Sequence, residues 1–170
     1  MTRTSVFTRH FEAPVAVHEP LFTLEPLAPQ HNDLDYDAWQ SSVEELQGIF
    51  GPGHEWPKAE YSKARNLEDL QRHYREFEQG EAYAYTILSP DQSLCIGCVY
   101  IQPPLVHPYD THVDFWFRSS HKHLEAPFMA WLKQWLATDW GLKTPAFPGR
   151  ELSWQDYHQR RDKTTDHPGA

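Results

Sequence analysis

Residues 82–101 read AYAYTILSPDQSLCIGCVYI, two β-rich runs separated by Ser89-Pro90-Asp91-Gln92-Ser93. Small polar residues and a proline between two apolar runs are turn chemistry, so the spacing predicts a β-hairpin with strands at 82–88 and 94–101. Beyond Pro103-Pro104, residues 112–117 (HVDFWF) alternate Val113, Phe115 and Phe117 on one face with Asp114, Trp116 and then Arg118 on the other, the period of a further strand. Upstream, residues 21–27 alternate in the same way as far as Pro29, a short first strand.

The stretches between and after these strands have helical spacing. From Asp33, the residues Leu34, Ala38, Val43 and Leu46 form one stripe, with Gly48 and Gly51-Pro52-Gly53 as the stop. A second helix opens at Asn66 through an Asn66/Asp69 cap, buries Leu67, Leu70, Tyr74 and Phe77, and ends at Gly80. Phe128, Trp131, Leu132, Trp135 and Leu136 follow at i, i+3, i+4, i+7 and i+8, with Pro127 suited to a first turn, which predicts a third helix. Residues 143–150 read as a fifth strand interrupted by Pro145 and Pro148, and a final helical turn or two begins after Ser153. The expected organisation is an unassigned N-terminal arm over 1–20, anchored by Phe7, Phe11, Val15 and Val17, one domain over 21–158, and a tail over 159–170.

Composition bounds the partners. A chain of 170 residues accommodates one compact domain, and 7 Trp, 8 Tyr and 9 Phe supply enough bulky apolar surface for a core. The formal charge of -9 disfavours a phosphate backbone, so nucleic acid is not an expected partner. No apolar stretch approaches the roughly 20 residues that span a bilayer, and no hydrophobic leader follows the N-terminal Arg residues, so a cytoplasmic protein without a membrane partner is expected. Two cysteines, Cys95 and Cys98, exclude a disulfide framework.

The order strand, two helices, three strands, helix, strand resembles the GNAT superfamily of acyl-CoA-dependent N-acyltransferases, an α+β fold with a mixed central sheet and helices on both faces. The local text strengthens the likeness: Ala84-Tyr-Thr-Ile-Leu, the Pro90-Asp91 turn and Ile96-Gly-Cys-Val-Tyr look like the family's central hairpin. Val113-Asp-Phe-Trp-Phe-Arg looks like its fourth strand, leading to the cofactor loop. The resemblance implies an N-acetyltransferase that moves an acetyl group from acetyl-CoA to an amine on a small molecule or protein, with a homodimer left open. It implies cofactor contacts from Phe117, Arg118, Ser119, Ser120, His121, Lys122 and His123, where backbone N–H groups at a helix start receive a pyrophosphate.

The usual form of that loop is Gln/Arg-x-x-Gly-x-Gly/Ala. In one register this chain supplies Ser120, His123 and Glu125, in the other His121, Leu124 and Ala126, so the first glycine is absent from both. Side-chain cations of His121, Lys122 and His123 are the available substitute. The family also continues past its fifth strand further than the roughly 20 residues left here. These departures motivate a second reading, a non-catalytic GNAT-like binding or assembly module that has lost the pyrophosphate loop.

Acyl transfer to an amine needs a group to take the ammonium proton and one to protonate the departing thiolate. Asp114 is the candidate base, with a structural ion pair to Arg118 as its other reading. Tyr157 resembles the family's tyrosine acid, with a surface residue as its other reading. Cys95-Ile-Gly-Cys98 has C-x-x-C spacing, but residues three apart in a regular strand point to opposite faces, so two separate core thiols and no metal site are expected. His107, His112, His121 and His123 fall within one short stretch, and whether they converge as ligands is a question of tertiary structure.

Overall fold

The computed structural model describes residues 5–165. Six strands form one sheet in sequence order: β1 (Val17–His18), β2 (Thr23–Pro26), β3 (Tyr83–Leu88), β4 (Cys95–Gln102), β5 (Thr111–Phe117) and β6 (Pro145–Ala146). All neighbours are antiparallel except β5 and β6, which are parallel, so the sheet is mixed and the class is α+β, as expected. Helices α1 (Asn32–Gln40) and α2 (Lys63–Gln79) enter the chain between β2 and β3, and α3 (Glu125–Trp135) and α4 (Trp154–Thr165) flank β6.

Each face of the sheet has its own core. On one face Tyr85, Ile87, Val99, Phe115 and Phe117 pack with Phe128, Leu132 and Trp135 of α3. On the other, Ala84, Leu88, Cys95, Cys98 and Trp116 pack with Ala38 and Trp39 of α1 and Leu70 of α2. The arm left unassigned is tied down: the Tyr83 hydroxyl donates to the Val6 carbonyl at 2.6 Å and that of Tyr85 to the Pro14 carbonyl at 2.6 Å. Its Val17 and His18 add the edge strand, whereas Val15 is exposed.

Several boundaries differ from expectation for local reasons. The first helix ends at Gln40 instead of Gly48, because Ser41 returns its hydroxyl to the Ala38 carbonyl and Ser42 turns its own toward residue 119. The second starts three residues earlier, where the Ser62 hydroxyl caps the Arg65 N–H; Asn66 is buried and bonds to α1 instead, and Tyr74 is exposed. The fifth strand shrinks to two residues because Pro145 and Pro148 withhold N–H donors. The last helix runs through 154–165, beyond the turn or two expected and into the stretch read as tail.

Both cysteines are buried free thiols, as expected, but a β-bulge overturns the expectation that they point to opposite faces. Leu88 pairs with Cys95 while its neighbour Ile87 pairs with Gly97, so Ile96 is an extra residue and the alternation of β4 shifts by one. Cys95 and Cys98 therefore share the α1/α2 face instead of opposing each other. Gly97 permits the close approach this requires, since a Cβ there would lie 2.1 Å from the Trp116 carbonyl oxygen. Replacing Gly97 with Ala is expected to lower unfolding stability by at least about 2 kcal/mol in urea titrations, because rigid backbone must move; an unchanged midpoint would contradict this packing.

Candidate functional site

On the α1/α2 face a cavity of about 440 Å³ lies among α2, the 50–61 loop, the adjoining ends of β4 and β5, and α4. Its wall carries Phe50 with Trp56 and Tyr100, whose ring centroids each lie 5.3 Å from that of Phe50. Asp114 and Tyr157, both singled out from sequence, line this same cavity although they are far apart in the chain.

The chemistry centres on β5. His112 and Asp114 stand two residues apart, hence on one face, opposite Gln102 and Tyr100 of β4. His112 Nε2 lies 2.9 Å from Asp114 Oδ2, and the Gln102 amide donates to the same oxygen at 3.3 Å. Asp114 thus pairs with His112, and Arg118 turns instead to Asp37 of α1 and to the Cys95 carbonyl. A carboxylate accepting from Nε2–H fixes that tautomer in the neutral ring and leaves Nδ1 as a lone-pair acceptor. His112 is buried, lines the cavity, and its Nδ1 has no hydrogen-bond partner. The ring of Tyr157 stands edge-on to His112 at 5.3 Å. Burial, and secondarily Asp114, push the Tyr157 phenol above its ordinary value against the opposing Arg161 charge, so the hydroxyl stays protonated at neutral pH.

Sequence reasoning placed His112 only among metal-ligand candidates. The His-x-Asp spacing within a strand was the available signal for the dyad. The histidine stretch itself does not converge: His121 and His123 stack at 6.0 Å in the loop before α3, away from His112. Elsewhere in the cavity, Asp35 is buried and accepts from Asn66 at 3.0 Å; burial raises its carboxyl above the usual range despite that bond.

The loop after β5 is less open. The segment after β5 forms 3-10 turns over Ser119–Leu124 with no glycine. Its amides are partly engaged: the Arg118 N–H donates to Ile96, and the Ser119 N–H to the Ser42 hydroxyl at 2.8 Å. Phe117 is in the core, so its side chain is not available to a cofactor. Ser120 bonds to His121 Nδ1, while Lys122 and His123 are exposed. β5 and β6 pair only at Thr111 and His112, leaving the rest of that β5 edge without a partner strand. Arg150, which the sequence reading passed over, lies across it: the guanidinium donates to the Phe115 carbonyl at 2.8 Å and to Glu125 at 3.2 Å, and sits 3.7 Å over the Phe115 ring. Glu125, one of the loop positions named from sequence, is thereby paired with a guanidinium.

No family model matches the sequence, and no curated protein matches it. Among solved structures, the chain is similar to the ribosomal-protein-S5-alanine acetyltransferase of Vibrio fischeri, at 12% identity over 76% of this chain and 70% of that one, with a TM-score of 0.59. It is similar to the Microcin C7 self-immunity acetyltransferase MccE, solved with acetyl-CoA and AMP, at 12% identity over 73% and 66%, TM-score 0.54. It is also similar to the GNAT domain of S. lividans PAT, at 14% identity over 77% of both chains, TM-score 0.52. These neighbours are GNAT acetyltransferases, and the chain has the GNAT fold. No helix among the described residues is long and apolar enough to cross a membrane.

His73, also in the cavity wall, gives a pH prediction. Its imidazole pKa is lowered to about 4, first by burial and then by the Arg72 charge. An unfolded histidine titrates near 6.5, so between those values the unfolded chain binds a proton that the folded chain refuses. Stability present at neutral pH is expected to decline as pH falls through this window, by up to roughly 1.4 kcal/mol per unit. Urea titrations at pH 7 and 5 should show a smaller loss for His73→Phe than for the wild type; equal losses would contradict the assignment.

Proposed function

We propose that the chain is a cytoplasmic N-acetyltransferase that uses acetyl-CoA and accepts an amine in the cavity beside β5. The observation that carries this reading is the buried His112/Asp114 dyad in the wall of that cavity next to Tyr157, with Nδ1 of the imidazole buried and without a hydrogen-bond partner. Asp114 holds the imidazole in the Nε2–H tautomer and stabilises the imidazolium once Nδ1 takes a proton from the entering ammonium. The role assigned to Asp114 from sequence, direct base, thus becomes that of orienting His112. Tyr157, kept protonated by burial, is the acid for the leaving thiolate. Acetyl-CoA supplies an activated acetyl thioester, and the side chains this chain offers its phosphates are the exposed Lys122 and His123 with His121, in place of an amide cradle. The fold, shared with acetyltransferases solved with CoA or acetyl-CoA, supports the same reading.

Two observations favour a second reading, a non-catalytic module: Arg150 covers the open edge of β5 and Ser42 occupies the first amide after Arg118. Calorimetric titration separates the two. The enzyme reading expects heat and thermal protection from acetyl-CoA, with protection abolished by Lys122→Glu. Absence of any response at millimolar ligand would leave the second reading.

With an amine acceptor in hand, His112→Ala is expected to lower kcat by about 100-fold or more, the ordinary contribution of a positioned base. Tyr157→Phe should lower kcat with little change in acceptor KM. Wild-type rates in the His112 variant would remove the dyad from the mechanism.

A further inference from the structure

We propose that Asp35, Cys95 and Cys98 form a binding site for a thiophilic divalent cation of the zinc class, on the α1/α2 face of the sheet. The inference is independent of the acetyltransferase reading. One Asp35 carboxylate oxygen and the two Sγ atoms lie within 4.8 Å of one another, and all three residues are buried. Around a tetrahedral zinc, with Zn–S near 2.3 Å and Zn–O near 2.0 Å, two sulfurs stand about 3.8 Å apart and a sulfur and an oxygen about 3.5 Å. Cys98 Sγ is already 3.3 Å from Asp35 Oδ1, so closing the triangle requires side-chain movement of about 1 Å or less.

Three features of the sequence meet to build this arrangement. The bulge at Ile96 turns Cys95 onto the face of Cys98, at the cost of a regular ladder. Helix α1 delivers Asp35 from the opposite layer, and among the described residues no Lys or Arg forms an ion pair with that buried carboxylate. An outer set of donors then faces the ligand atoms. The Asn66 amide donates to Asp35 Oδ2 at 3.0 Å and is itself fixed by the Trp39 indole at 3.0 Å, while the Thr86 hydroxyl donates to Cys95 Sγ at 3.5 Å. Such donors orient metal ligands and spread their charge. Two thiolates with one carboxylate select zinc or a similarly soft ion over magnesium or calcium.

Binding releases the two thiol protons, and the carboxyl proton where present, to the buffer, and forms two metal–sulfur bonds and one metal–oxygen bond. The thiol contacts to Asp35 and to the Gly97 carbonyl are given up in exchange. A fourth ligand enters from the cavity, whose wall includes Asp35 and Tyr100.

The test uses the 170-residue chain purified without an affinity tag. Elemental analysis is expected to find close to one zinc ion per chain. After removal of zinc and addition of cobalt(II), the wild type should show a sulfur-to-cobalt charge-transfer band and the intense visible absorption of tetrahedral cobalt. Cys98→Ser, checked for native circular dichroism, should lose the charge-transfer intensity and at least tenfold in metal content. The cobalt spectrum of the wild type stands on its own if that variant fails to fold. Metal-free wild-type protein that neither develops a cobalt–thiolate band nor gains thermal stability with zinc chloride would overturn the proposal, as would an undiminished band in Cys98→Ser.

Discussion

The register of β4 against β5 is the constraint on which the rest depends. Pairing Gly97 with Phe117 brings Tyr100 opposite Asp114 and Gln102 opposite His112, and so puts every polar group of the cavity floor on one face. A slip by one residue would send His112 and Asp114 into the aromatic core against α3 and turn Phe115 and Phe117 toward the α1/α2 face instead. The register is locked from both sides: Phe115 and Phe117 pack on Phe128 at 5.2 Å, and the Trp116 indole donates to the Tyr100 hydroxyl at 3.0 Å. Chemistry and packing are thus two faces of the same strand.

What the sequence disclosed follows from the range of the forces involved. The hairpin, the alternation of β5 and the stripe of α3 depend on neighbours a few positions away, and their periods can be read directly. The bulge depends on how Leu88 meets Cys95 across the ladder, and strand periodicity alone placed the two cysteines on opposite faces. Asp114 and Tyr157 could be nominated one at a time. Their convergence on His112 depends on α4 packing back over β5, a tertiary event that no local pattern encodes. Arg150 sits in a turn after Pro148-Gly149 and acquires meaning only beside the open edge of β5.

The two sides of the sheet edge differ in readiness. The proposed acceptor side has a cavity, an oriented imidazole and a protonated phenol. On the proposed donor side the protein satisfies its own groups: Ser42 takes the Ser119 amide, Asp37 takes Arg118, and Arg150 joins Glu125 to Phe115. An acyl donor that uses the β5 edge must compete with the last of these. The Arg150 contact combines a charge-assisted bond, a carbonyl bond and a cation–π contact, so displacing it requires compensating contacts from the donor.

The most direct test is a crystal structure of the protein saturated with coenzyme A. The account predicts that the thiol arm lies along β5 with its sulfur directed toward the cavity of His112, and that the Arg150 guanidinium has left the Phe115 carbonyl. A structure in which Arg150 still bridges Phe115 and Glu125, with the nucleotide absent or bound elsewhere, would contradict it.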